Sequence, residues 1–167
     1  MKAQRKKGFT LIELLIVIGI IAVLMAIAIV AINPGRQFAK ANNAKRWGDV
    51  GAVANAIAIR IIENRGDWLP VGNCEALPTD GVAKSLAEDA AGTDPAIVDI
   101  CDCIVDEYLG SMPLDPTTST SPPDPTIPCI GYDTGYEITG TAAGRITISA
   151  LNADSENGSP PTISVTR

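Results

Sequence analysis

The feature that most constrains this chain is an apolar run over residues 14–32. Its nineteen residues are all uncharged, and most of them are Ile, Val, Leu or Ala. A helix rises about 1.5 Å per residue, so the run would span about 28 Å, close to the roughly 30 Å hydrocarbon core of a bilayer. The run therefore predicts one membrane-spanning helix, with any folded domain lying outside it.

The charges that flank the run predict its orientation. Four cations and no acid precede it in residues 1–8, namely Lys2, Arg5, Lys6 and Lys7. By the positive-inside rule these residues stay in the cytoplasm, and everything after residue 33 is exported. A cleaved signal peptide is the competing interpretation, because residues 26–28 resemble its cleavage site. We favour an uncleaved helix, since the apolar run continues to Ile32 without a polar stretch before that site.

Glu13 is the only charged residue between residue 8 and Arg36. A charge at the centre of a bilayer costs about 2.5–3.5 kcal/mol, and less near its edge. A carboxylate that reaches the headgroup layer would avoid this cost. Otherwise the side chain needs a partner of opposite charge, and we expect that partner to be part of the function.

Residues 34–66 predict an amphipathic continuation of the apolar helix. A proline in the Asn33-Pro34-Gly35 segment would kink or stop the first helix. Beyond it, apolar residues recur at intervals of three and four, at Trp47, Val50, Val53, Ala54, Ile57 and Ile61. The charged residues fall on other faces of this helix, at Arg46, Asp49, Arg60 and Glu63. Gly66 suits a C-cap. The apolar stripe requires another apolar surface to pack against it.

Residues 67–167 predict a globular head built on a small antiparallel sheet. Prolines exclude regular strand pairing from a Pro/Ser/Thr-rich loop over residues 113–128. We expect short helical segments over residues 81–88 and 95–109, and strands over residues 130–138, 145–151 and 162–165. The fold class is therefore α+β: a long bent N-terminal helix, membrane-spanning in its first half, is packed on a small C-terminal antiparallel β-sheet.

The composition argues against two classes of function. From residue 67 onward, three basic residues face sixteen acidic ones, a net charge of −13 that repels nucleic-acid phosphates. The sequence has no histidine, which is the commonest general base. It also lacks Gly-x-Ser-x-Gly, Ser-x-x-Lys and a glycine-rich phosphate loop. We therefore predict no enzymatic activity, and a membrane-tethered enzyme is the disfavoured alternative.

The four cysteines all lie in the predicted head, at Cys74, Cys101, Cys103 and Cys129. An even number of cysteines in an exported domain predicts two disulfides, and three pairings are open. Cys101 and Cys103 would point about 200° apart on a helix, so they are expected to bond to different partners. A tetrahedral zinc site is the alternative, although the spacing does not match a zinc ribbon.

The residues Lys7-Gly8-Phe9-Thr10-Leu11-Ile12-Glu13-Leu14 resemble the class III signal of type IV pilins and type II secretion pseudopilins. Three further segments are similar to parts of these proteins. Residues 43–70 resemble the exported half of the helix and its exit, residues 109–116 the Pro-x-Asp-Pro segment of major secretion pseudopilins, and residues 135–150 the terminal strand pair. The resemblance therefore covers most of the chain, and the N-terminal motif is its specific part.

The resemblance implies how the N terminus is processed and used. Prepilin peptidase, a membrane aspartic protease, would cut between Gly8 and Phe9, remove the leader of residues 1–8 and methylate the new amine of Phe9. Glu13 would pair with the ammonium group of a neighbouring subunit's Phe9. Residues 9–33 would then serve as the membrane helix of the precursor and as the assembly helix of a filament.

The resemblance also implies function, location and partners. The chain would be a structural subunit of a type IV pilus or a type II secretion pseudopilus, and an adhesin or DNA-uptake minor pilin is the alternative. It would sit in the cytoplasmic membrane as a single-pass protein surrounded by lipid, and later in an extracytoplasmic or cell-surface filament. Its partners would be other pilin subunits, prepilin peptidase, an assembly ATPase and a platform protein, but not nucleic acid.

Some secretion pseudopilins hold calcium in a loop comparable to the Pro/Ser/Thr-rich loop. The resemblance makes Asp115, Asp124 and Asp133 candidate ligands, since calcium takes six to eight oxygen ligands. No fixed-spacing calcium motif is present in the sequence. The leading expectation is therefore a solvated acidic loop, with no metal and no other cofactor.

Overall fold

The computed structural model describes residues 8–89, 92–119, 129–156 and 158–167. The chain divides into two compact units, Met1–Phe38 and Ala39–Arg167. The first unit holds the apolar helix, and the second holds the folded head together with most of the second helix.

Helix α1 covers Leu11–Ile32, and the predicted apolar helix is therefore confirmed. It begins at the N-cap Thr10 and ends at Asn33, whose left-handed backbone (φ 47°) stops the helical hydrogen bonds. Its mean hydropathy reaches 3.4, and by length and composition it could cross a membrane. None of its 22 residues is buried, which is expected of a helix whose surroundings are lipid or other chains.

Helix α2 covers Pro34–Glu63. Proline is favoured at the first helical position because its missing N–H would be unpaired there. The Asn33 side chain caps this start by accepting a hydrogen bond from the Arg36 N–H at 3.4 Å. Val50, Val53 and Ile57 are at most 1% exposed, so the predicted apolar stripe is confirmed.

Two charged positions of α2 differ from the prediction. Arg46 and Arg60 were placed on polar faces of the helix, but they are 0% and 5% exposed. Trp47, which was assigned to the apolar stripe, is 46% exposed. Both arginines are buried because the head offers oxygen acceptors to their guanidinium groups. Arg60 binds through Nη1 and Nη2, whereas its buried Nε has no hydrogen-bond partner among the described residues.

A five-stranded sheet forms the centre of the head. The strands are β1 (Asp80–Ala87), β2 (Ile97–Val98), β3 (Asp133–Thr141), β4 (Ile146–Ala150) and β5 (Ile163–Thr166), in the spatial order β2-β1-β3-β4-β5. Only the short β2 pairs in parallel, so the sheet is mostly antiparallel as predicted. Ile138 and Ile148 are 0% exposed, and they share one core with Val53 and Ile57 of α2.

The two short helices predicted in the head are wrong in large part. Residues 81–88 were expected to form a helical turn but fall mostly within β1, which hydrogen-bonds to strands on both sides. Within residues 95–109, only Cys101–Ile104 is helical (α3), and Ile97–Val98 is a strand. An isolated helix this short is marginal in water, whereas strand pairing satisfies every ladder hydrogen bond at once.

Candidate functional site

The predicted cleavage segment lies immediately before α1 and is open to solvent. Phe9 is 88% exposed. No described heavy atom lies within 4 Å of the position that a Cβ on Gly8 would occupy. A peptide bond between two residues outside any helix or strand can enter an extended protease cleft without unfolding the neighbouring helix. The backbone between Gly8 and Phe9 therefore has the accessibility that proteolytic processing requires.

Glu13 folds back over the first turn of α1 and is held by Thr10. Its Oε2 atom accepts hydrogen bonds from the Thr10 backbone N–H at 2.9 Å and from the Thr10 hydroxyl at 2.8 Å. In return, the Thr10 Oγ1 atom accepts from the Glu13 N–H at 3.3 Å. This reciprocal arrangement is a capping box. It directs the carboxylate towards the N-terminal side of the helix, where Phe9 lies.

The capping role of Thr10 was missed in the sequence, although the signal is there. Thr-x-x-Glu before an apolar run is the capping-box pattern, and it also predicts the first residue of the helix. The uncharged run begins only at residue 14, because Glu13 interrupts it. The helix begins at Leu11, with Glu13 in its first turn and within the segment 9–33 that the resemblance assigns to the membrane helix.

Most of the exposed large hydrophobic side chains of the described chain lie on α1. Its large side chains are between 48% and 82% exposed, from Ile21 at the lower end to Leu11 and Val30 at the upper end. Soluble proteins rarely expose contiguous apolar patches above a few hundred Å² unless a partner or a membrane covers them. This helix therefore needs either lipid or other apolar helices around it.

Two of the three candidate calcium ligands lie among the described residues, and each accepts hydrogen bonds from other groups of the chain. Asp115 is 1% exposed, and its carboxylate is bound by Arg46, with Nε–Oδ2 2.6 Å and Nη2–Oδ1 3.1 Å. Asp133 begins β3, and its Oδ1 atom accepts from the Gly135 N–H at 2.9 Å. Asp124 lies outside the described residues. In the described part of the chain, no group of three or more carboxylate, thiol or imidazole side chains could hold a metal ion.

The electrostatics of Asp115 follow from this contact. Burial alone would raise the pKa of its carboxyl group. Hydrogen bonds from Arg46 and from Thr117 outweigh the burial and hold the pKa far below its usual range. The carboxylate is therefore ionised under all physiological conditions, and a guanidinium group already balances its charge.

The four cysteines form two disulfides, as predicted. Cys74 bonds to Cys103 and Cys101 bonds to Cys129, with Cα–Cα distances of 5.7 and 5.5 Å. Helix α3 carries Cys101 and Cys103, and each bonds to a different partner as expected. The zinc alternative is wrong, because all four sulfur atoms are used in disulfides.

Comparison with known families identifies the N-terminal segment. Residues 3–29 match the model of the prokaryotic N-terminal methylation motif. Comparisons with curated proteins and with solved structures found no significant match. The matched residues contain Gly8, Phe9, Thr10 and Glu13, and they are joined to an α+β head in which a helix packs on a mostly antiparallel sheet.

These features define a class of protein in which an N-terminal apolar helix, long enough to cross a membrane, precedes an α+β head. The methylation motif is the hallmark of type IV pilins and pseudopilins, and the chain carries this motif at residues 3–29 together with a pilin-like α+β fold. In this family, the motif implies assembly with other pilin subunits and processing by the prepilin machinery.

Proposed function

We propose that the chain is a structural subunit of a type IV pilus or of a type II secretion pseudopilus. Prepilin peptidase removes residues 1–8 by cutting between Gly8 and Phe9, and it methylates the new amine of Phe9. An assembly ATPase and a platform protein then extract the subunit from the cytoplasmic membrane and add it to the filament. The chain acts as a building block and not as an enzyme.

The observation that carries this proposal is the exposure of α1, whose 22 residues include none that is buried. Lipid covers the helix in the precursor, which has its N terminus in the cytoplasm. After extraction, the same surface is covered by the α1 helices of neighbouring copies. A filament with an apolar helical core therefore gives every α1 surface a partner without any change in the fold of the head.

Glu13 supplies the register of that assembly. In an apolar core, a carboxylate and the ammonium group of Phe9 from a neighbouring copy are both deprived of water, so pairing lowers the free energy of both. Losing one member of a buried ion pair costs about 3–5 kcal/mol. Only one axial stagger brings the two charges together, and Glu13 already faces the N-terminal side through its contact with Thr10.

Two features of the head bear on which machine uses the chain. The Met112-Pro113-Leu114-Asp115-Pro116 segment resembles secretion pseudopilins. The two disulfides and the Pro/Ser/Thr-rich loop suit a durable surface filament better. An extracytoplasmic location is common to both alternatives.

Immunogold electron microscopy of cells with and without the gene distinguishes the two machines. A surface pilus predicts long filaments labelled along their length that disappear in the deletion strain. A pseudopilus predicts no long surface filaments and a deletion strain that fails to secrete its substrates. Normal filaments and normal secretion in the deletion strain would refute both alternatives.

A further inference from the structure

We propose that Arg46 is a built-in cation of the head, which closes the Asp115 loop onto α2 in place of a bound calcium ion. The head then folds and remains folded independently of divalent cations. The inference concerns the unit Ala39–Arg167 and holds whether or not the chain forms filaments.

The guanidinium group of Arg46 uses its complete set of donors. Nε donates to Asp115 Oδ2 at 2.6 Å, and Nη2 donates to Asp115 Oδ1 at 3.1 Å and to Thr117 Oγ1 at 2.6 Å. Nη1 donates to Asn43 Oδ1 and to Asp154 Oδ2, both at 2.9 Å. A guanidinium has five N–H donors, and here each meets an oxygen. The side chain is 0% exposed.

This oxygen set comes from three separate parts of the chain, as the ligands of a structural cation do. Asn43 belongs to α2, Asp115 and Thr117 to the first part of the Pro/Ser/Thr-rich loop, and Asp154 to the segment between β4 and β5. Arginine binds a carboxylate through two parallel hydrogen bonds, which fixes direction as well as charge. One buried side chain therefore holds these three segments together, as a structural metal ion would.

The Asp115 carboxylate has no room for a second cation. Besides the two bonds from Arg46, its Oδ1 atom accepts from the Thr117 N–H at 2.8 Å and from the Thr118 N–H at 3.1 Å. The neighbouring carbonyl oxygen of Leu114 accepts a hydrogen bond from Lys45 Nζ. A calcium ion could bind here only by displacing Arg46 and Lys45. The described residues around Asp115 therefore do not fit a calcium site.

The contact also lies where the head begins to enclose α2. Asn43 and Arg46 are the first buried residues of that helix. Asn42 adds a hydrogen bond to Asp154 Oδ2 at 2.9 Å, and Asn43 donates to the Asp154 carbonyl oxygen at 2.8 Å. From Val50 onward, the buried residues are mostly apolar. The Arg46 cluster is thus the polar connection that orients the loops of the head on the helix.

Thermal unfolding of the full chain in detergent micelles, followed by near-ultraviolet circular dichroism, tests the inference. We expect the same Tm for the wild type in calcium and in a calcium chelator. Arg46→Gln should lower the Tm by about 10 °C or more, because it leaves Asp115 buried without a counter-charge. Lys40→Gln is the matched control: it removes an exposed cation of the same helix that lies outside the Arg46 cluster, so only a small fall is expected.

The double variant Arg46→Gln/Asp115→Asn should lose less Tm than the sum of the two single losses, since each single change leaves the other charge unpaired. A saturable rise of the wild-type Tm with calcium, or a fall with chelator, would overturn the inference. So would additive losses in the double variant. Should the Arg46 variants fail to fold, the calcium and chelator comparison on the wild type still decides the question.

Discussion

The Glu13 carboxylate is bound by Thr10, which donates both its backbone N–H, at 2.9 Å, and its hydroxyl, at 2.8 Å, to the same oxygen atom. These hydrogen bonds partly compensate the negative charge of Glu13 within a single chain. They also cap α1, which begins at Leu11. They hold the carboxylate beside the residue whose amine is created by the proposed cleavage. Helix capping and the proposed subunit pairing therefore depend on the same side chain and can be separated by substitution.

Glu13→Gln separates the two roles. Glutamine keeps an oxygen acceptor for the capping box but carries no charge. We expect normal processing and a normal head, with at least a tenfold loss of assembled filament, since a broken buried ion pair costs about 3–5 kcal/mol. The measurement is the ratio of sheared filament to cell-bound mature protein. Thr10→Ser, which retains the hydroxyl group, is the control. Filaments at wild-type levels from Glu13→Gln would remove the proposed pairing.

Two glycine substitutions should change stability in opposite directions. A Cβ on Gly140 would lie 1.7 Å from the Pro78 carbonyl oxygen, so Gly140→Ala should destabilise the head by about 3 kcal/mol. At Gly51, in the middle of α2, no described heavy atom lies within 4 Å of the added Cβ. Gly51→Ala should therefore stabilise the head by about 0.5–1 kcal/mol through helix propensity. Thermal unfolding measures both changes in stability. Two changes of the same sign would contradict the packing described here.

The pairing of the cysteines is directly measurable. Peptide mapping under non-reducing conditions should recover Cys74 linked to Cys103 and Cys101 linked to Cys129. The bridges close segments with sequence separations of 29 and 28 residues, so removing one should cost about 3–4 kcal/mol. Recovery of a Cys74–Cys101 peptide would show that the observed pairing is wrong.

Asp99 should make the head less stable as pH rises, which is the opposite of the usual effect of a carboxyl group. It is 4% exposed, and burial raises its pKa above the ordinary 3.8 despite hydrogen bonds from Tyr132 and Cys101. Asp102 and Glu88 lie close enough to raise it further. A raised pKa means that the folded state favours the protonated form. The stabilisation by protonated Asp99 is complete below the pKa that Asp99 has in the unfolded state. It is lost as pH rises through the pKa that Asp99 has in the folded state.

Asp99→Asn removes that titration while keeping an oxygen acceptor. The Tm of the variant relative to that of the wild type should therefore increase as pH rises from about 4 to 7. Asp67→Asn is a suitable control, because Asp67 is exposed and does not contribute to the pKa shift of Asp99. A difference that stays constant across this range would show that Asp99 does not titrate in the folded state.

The parts of the fold that could be predicted are those with a long, regular pattern. The apolar run fixed α1, and the three-four spacing from Val50 to Ile57 identified the buried face of α2. Alternation at Ile146 and Ile148 identified β4, which is paired with β3 as expected. Each of these signals is repeated several times within one element.

The parts that failed depend on contacts between distant segments. Strand β1 buries only Leu86 and Ala87 at its end, so its sequence shows no alternation, and its conformation is set by pairing with β3. The role of Arg46 was equally hidden, because Asp115 and Asp154 are remote from it in the chain. A charged residue beside an apolar stripe is usually a solvated one, and only the tertiary structure shows the acceptors that allow its burial.

The most direct test of the proposed function is the mass of the mature N-terminal peptide from native cells. We predict a peptide that begins at Phe9 and carries one methyl group on its amine, and a precursor that retains residues 1–8 accumulates when prepilin peptidase is deleted. A mature chain that begins at Met1, or one that begins after Ala28 as a conventional signal peptide would leave it, would contradict the account.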